Sequence, residues 1–165
     1  MKVLAMAALV CSAQFAVAAE PSTVSNELIV GGEVRHERHL SVDQLRQIAR
    51  RRGVVEQAGY SGVRLVDLLA EAEISDDAPL ALRRTYVVAV ATDGYPAVFS
   101  WGELYNTPVG GGVIVATDRD GLPLRDGEGR FALVSLADTR SGPRHVKWLA
   151  RIDVRRIPEG ATRQR

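Results

Sequence analysis

Eight side chains in two stretches have the chemistry to hold a small polar molecule. Thr85 to Leu104 carries Asp93 and Glu103, two carboxylates that accept hydrogen bonds, and Tyr95 and Trp101, two aromatic faces, with Phe99 a third aromatic between them. Thr139 to Trp148 carries Arg140, Arg144, His145 and Lys147, which supply donors and positive charge. Such groups bind by stacking and by charge-assisted hydrogen bonding. Thiolate chemistry has no obvious seat, because the only cysteine, Cys11, falls in an N-terminal apolar run. No residue reads as catalytic and none as a metal ligand. His36 and His39 stand three apart, but they precede a helix and lack a third ligand nearby, so they read as solvated turn histidines.

Each candidate also has a plain structural role. Asp93 suits an Asx turn in Thr92-Asp-Gly-Tyr95. Glu103, three residues after Ser100, suits a capping box. Trp101 at a helix start can plug a core, and the basic residues from Arg140 to Lys147 can form a solvated loop.

The elements that must position these residues are readable. Tyr86 to Val90 is a buried strand, Asp93-Gly94 a hairpin turn, Ala97 to Phe99 the return strand, and a short helix starts at Trp101. Upstream, Glu27 to Val34 reads as a first strand bent at Gly31-Gly32, followed by a charged turn from Val34 to His39. Ser41 and Gln44 form a capping box, Leu40 staples onto Leu45, and the helix runs to Arg52 before Gly53 stops it. Val54 to Ala58 is a short strand and Gly59 to Gly62 a turn. Val63 to Ala72 is an amphipathic helix with Leu65, Leu68, Leu69 and Ala72 on one face. Ser75 to Pro79 is a loop. Gly110-Gly111-Gly112 is a connection, and no Gly-Lys-Ser/Thr follows to make it a nucleotide loop. Strands follow over Val113 to Thr117, Phe131 to Leu136 and Val146 to Ile157. Two early helices and then several strands give an α+β domain with a mixed sheet and a few short helices.

Lys2, the apolar run from Val3 to Val17 and Ala18-Ala19 describe a secretory signal peptide over residues 1–19. A flexible segment (20–26), a domain (27–157) and a basic tail (158–165) follow. The expected location is the periplasm or the exterior, with nothing embedded in a membrane. Loss of Lys2 leaves 20 basic residues against 20 acidic ones, a balance that argues against nucleic-acid binding.

The segments GGEV, LSVDQL, GVRLVDLL, VVAVATDGYPAVFSWGEL, VATDRDGLPL, GRFALV and HVKWLARIDV occur in that order. In that order and spacing the chain resembles the molybdopterin-binding domain of the sulfite-oxidase family, over roughly Glu27 to Ile157. The resemblance implies a single-domain sulfite-oxidase-like fold. It also implies a molybdenum-holding cysteine between the first helix and GVRLVDLL. Here that interval, Gly53 to Gly62, contains none, and the hydroxyls of Tyr60 and Ser61 are poor substitutes for a soft thiolate.

The expectation is therefore a protein that is not an enzyme, similar to cysteine-less periplasmic pterin-binding proteins. Its cofactor would be a metal-free pterin, reduced or oxidised, with molybdenum absent. Its partner would be the periplasmic domain of a membrane diguanylate cyclase/phosphodiesterase that it regulates. Two alternatives stand beside this: a molybdopterin-dependent oxidoreductase with non-cysteine metal ligation, and an interaction domain that binds nothing small. For a pterin, Trp101 or Tyr95 would stack, Asp93 or Glu103 would accept its adjacent N–H groups, and Arg140 to Lys147 would form the opposite wall.

Overall fold

The first helix forms as its ends dictate. In the computed structural model, which describes residues 24–140 and 142–160, α1 spans Val42–Arg52. Ser41 caps it through its side chain, Gln44 returns a side-chain bond to the Ser41 backbone, and Gly53 ends it at φ 112°. The signal peptide over 1–19, with Cys11, and the last five residues of the basic tail lie outside the described residues.

Two five-stranded sheets sandwich the apolar side chains. The first has the order β2-β1-β10-β5-β6, from β1 (Leu28–Gly32), β2 (Arg38–Leu40), β5 (Thr85–Ala91), β6 (Pro96–Ser100) and β10 (Leu149–Arg156). It is mixed, since β1 runs parallel to β10 while its other pairs are antiparallel. The second has the order β3-β4-β7-β8, with β9 on β7, from β3 (Val55–Gln57), β4 (Tyr60–Arg64), β7 (Val113–Arg119), β8 (Leu122–Pro123) and β9 (Ala132–Ser135). Its pairs are all antiparallel. The expected mixed sheet is thus present, joined by a second, antiparallel sheet.

The helices α2 (Leu65–Ala72), α3 (Pro79–Leu82) and α4 (Trp101–Asn106), with a 3-10 turn at Pro108–Gly112, complete the fold. Leu65, Leu68, Leu69 and Ala72 are fully buried, as the spacing predicts. Burying each such leucine stabilises the fold by about 2 kcal/mol. The main core joins Leu28, Val30, Leu45, Val87, Phe99, Val115, Leu133 and Ile152. Along β7 the period of two sends Val113 and Val115 into this core, while Ile114 and Ala116 join Tyr60 and Val134 in a smaller cluster on the sheet's other face.

Four local readings change. Arg38–Leu40 is a strand rather than part of a turn. The turn expected over Gly59 to Gly62 lies earlier, at Ala58 and Gly59, which take φ 53° and 82°. Tyr60 to Arg64 is strand, so α2 starts at Leu65 instead of Val63. The last strand starts at Leu149, because Trp148 takes φ 48° and donates its backbone N–H to Glu128 O at 2.7 Å.

Candidate functional site

The segment between α1 and α2 lines the largest hollow. It has a volume of about 510 Å³ and is bordered by Glu56, Gln57, Gly59 and Ser61 on one side and by Asp118 and Asp120 on the other. A smaller hollow of about 160 Å³ adjoins it, sharing Ser61 and Asp118 and adding Arg46, Arg50 and Thr117. A third, of about 380 Å³, shares Arg46 and Thr117 and reaches Arg130. The three ring one ion pair. Asp118 Oδ1 accepts from Arg46 Nη2 at 2.6 Å and Oδ2 from Arg46 Nε at 3.2 Å, a bidentate fork across the α1–β7 seam. Thr117 Oγ1 donates to Asp118 Oδ2 at 2.6 Å.

The electrostatics follow from this geometry. Burial pushes the Asp118 carboxyl up, but the bonds from Arg46 and Thr117 outweigh it and hold the group below the usual carboxylate range. Asp118 is therefore an anion already matched. Arg50 and Arg130 are exposed at the rims and have no hydrogen-bond or ion-pair partner among the described residues. Glu56 is likewise exposed on β3, an edge strand paired only with β4. The cleft thus offers free guanidinium groups for an anion, a free carboxylate for paired N–H donors, and the planar Arg46 fork. No aromatic side chain lines these three hollows.

A buried polar cluster lies beside this cleft. Tyr60 OH donates to Glu128 Oε1 at 2.7 Å, and Arg119 Nη1 donates to Tyr60 OH at 3.1 Å. His145 packs edge-on to Tyr60, with ring centroids 5.7 Å apart, and its Nε2 lies 3.6 Å from Glu128 Oε1. That nitrogen is buried and has no hydrogen-bond partner among the described residues. Burial pushes the His145 imidazole below its ordinary pKa; Glu128 opposes the shift, and Lys147 and Arg119 reinforce it.

The other sequence candidates lie elsewhere. Asp93 is exposed and accepts the Tyr95 N–H at 2.9 Å, closing its own turn. Tyr95 OH donates to Pro143 O at 2.8 Å. Glu103 accepts from Arg144 Nη1 at 2.7 Å instead of reaching back to Ser100, so only half of the expected capping box forms. Arg144 also forks onto Asp138 and lies 4.6 Å over the Phe99 ring. The two stretches are thus brought together, and they meet by pairing with each other. Trp101 stacks on Tyr105 at 3.9 Å in a separate groove that also holds Arg35. Arg140 and Lys147 are exposed. Sequence reasoning missed Arg46, Asp118, Glu56 and Tyr60 with Glu128. The Arg46–Asp118 pair joins residues 72 apart, and no local pattern announces it.

The segment from Gly53 to Gly62 offers only oxygen and amide groups, and among the described residues no three His, Cys, Asp or Glu side chains converge to hold a metal. No helix among the described residues is long and apolar enough to cross a membrane.

Comparison with known proteins follows the fold. Residues 49–162 match the family model described as "Oxidoreductase molybdopterin binding domain". No curated protein matches the chain. Among solved structures, the sulfane dehydrogenase SoxCD from Paracoccus pantotrophus is similar, with a TM-score of 0.57 and 20% identity over 82% of this chain and 39% of that chain. The chain therefore spans well under half of that neighbour. These findings support the expected sulfite-oxidase-like molybdopterin-binding fold. They overturn the expectation that the chain is not an enzyme, because the matching family is one of oxidoreductases. The missing cysteine speaks to how a metal would be ligated, and it does not remove the domain from that enzyme family.

Proposed function

The chain belongs to the oxidoreductase molybdopterin-binding domain family, and on that premise we propose that it holds its pterin cofactor in the cleft around Arg46 and Asp118. One observation carries the placement. The interval where the resemblance puts the family's metal ligand lines the largest hollow, directly beside the Arg46–Asp118 fork. Glu56 suits the adjacent N–H donors of the pterin edge, and Arg50 and Arg130 suit an anionic substituent. A metal brought with the pterin would take no sulfur ligand from this interval. His145 belongs to the proposed site through the Tyr60–Glu128 cluster, and the exposed Lys147 keeps only its sequence-based candidacy. Tyr95, Glu103 and Arg144 hold the loop that carries them. Asp93 shapes the Tyr95 turn; Arg140 and Trp101 keep only their sequence-based candidacy.

The proposal extends to the setting. The chain would be exported, and its loaded form would contact the periplasmic part of a membrane diguanylate cyclase/phosphodiesterase. The signal peptide expected over residues 1–19 and the sequence resemblance support that extension. Cross-linking in intact cells should trap such a partner, and its absence from the cross-linked material would remove this part.

The placement has its own test. A pterin added to the purified chain should raise the thermal midpoint by ligand linkage. Arg46→Ala should weaken binding by roughly tenfold or more, the loss expected when a partly buried, hydrogen-bonded charge goes unmatched. A shift of equal size in Arg46→Ala would move the pterin to another part of the fold.

A further inference from the structure

The edge strand β6 carries an inference that does not depend on where the pterin sits. Three other strand edges are guarded in familiar ways. β2 presents Arg38 and His39, β3 presents Glu56, and β8 is two residues long and contains Pro123. β6, Pro-Ala-Val-Phe-Ser, has no charged residue, pairs only with β5 among the described residues, and leaves Val98 52% exposed. On the same side of the sheet, Val98 lies opposite Val88, which is buried, and Pro96 opposite the half-buried Val90.

The register says which backbone groups the edge offers. Ala91 N–H donates to Tyr95 O at 3.0 Å, so that antiparallel pair is a hydrogen-bonded one. Bonded and non-bonded pairs alternate, which makes Ala89–Ala97 and Val87–Phe99 bonded. The N–H and C=O of Val98 therefore point to the free edge, as do the Ser100 N–H and the Pro96 C=O.

From this we propose that β6 pairs antiparallel with β6 of a second copy of the chain, about a two-fold axis through Val98. Each Val98 then donates to, and accepts from, the other Val98. Pro96 meets Ser100 of the second copy, where the Ser100 N–H donates to the Pro96 C=O. The missing donor of Pro96 falls opposite the Ser100 C=O, which as the cap residue of α4 already accepts the first helical bond. No group on the strand is left needing a partner it cannot find. No like charges oppose one another across the axis, so the strand complements itself.

Analytical ultracentrifugation of the purified full chain tests this, with concentration varied up to the millimolar range. A monomer–dimer equilibrium is expected. Val98→Pro removes both central bonds at a position whose N–H is free in the single chain, so it spares the fold. Val98→Lys sets two like charges opposite each other. Each should weaken dimerisation roughly tenfold or more, with the circular dichroism spectrum unchanged. A chain that is monomeric throughout overturns the proposal. So does a dimer that neither substitution weakens, because its interface then lies elsewhere.

Discussion

The tetrapeptide Val-Ala-Thr-Asp occurs twice, at Val90 to Asp93 and at Val115 to Asp118, and the two aspartates end in different roles. Asp93 follows a strand end and satisfies itself within its own turn. Asp118 stays within β7 and reaches Arg46 on α1. Local sequence shows the first role and is silent on the second, because the partner arrives from 72 residues away. His145 was legible as a basic group near the site, but its burial was not. Its depressed pKa has a consequence with a definite sign. Between the folded pKa and the unfolded value near 6.5, the unfolded chain binds the extra proton, so stability falls as pH drops through that window. The exposed His39, raised by Glu27 and Glu37, titrates in the opposite sense and is common to both proteins compared. Thermal midpoints of wild type and His145→Gln, measured from about pH 7.5 to 5, should diverge in slope. The variant should lose less stability toward acid, and parallel curves would show that the half-buried His145 is not held neutral by its surroundings.

At the scale of elements, the sequence was most informative where ends carry their own chemistry. α1 begins and stops where Ser41, Gln44 and Gly53 say it should. The β3–β4 hairpin was misplaced because Gly59 and Gly62 bracket a plausible turn. Packing decided otherwise: Tyr60 is drawn inward by Glu128, and Gly62 lies against β7. A Cβ on Gly62 would stand 2.1 Å from Val115 O, which is backbone and cannot step aside cheaply. Gly62→Ala should therefore destabilise the fold by about 1–3 kcal/mol, as overpacking does. Gly111, whose Cβ would meet nothing within 4 Å, supplies the control. Equal thermal midpoints for Gly62→Ala and Gly111→Ala would contradict the close approach of β4 to β7.

At the scale of the molecule, the ordered segments from GGEV to HVKWLARIDV carried the family, and the family carried the fold. The layering into two sheets did not come with them, since strand order depends on pairings such as β1 with β10, far apart in the chain. Of the proposed cleft, one side was legible in the sequence. The interval from Gly53 to Gly62 was marked as the place of a ligand, while the residues that face it across the cleft were not. The reading from one missing cysteine to a non-enzyme was the step that failed, because ligand identity and family membership are separate questions. Pterin content reports whether this chain holds a pterin at the Arg46–Asp118 cleft. The chain should be purified from cells that make the cofactor, denatured and oxidised, and the released pterin measured by fluorescence for wild type and for folded Arg46→Ala. Close to one pterin per wild-type chain and a marked loss from the variant are expected. A folded wild-type chain that yields no pterin, or a variant that retains it fully, would contradict the claim.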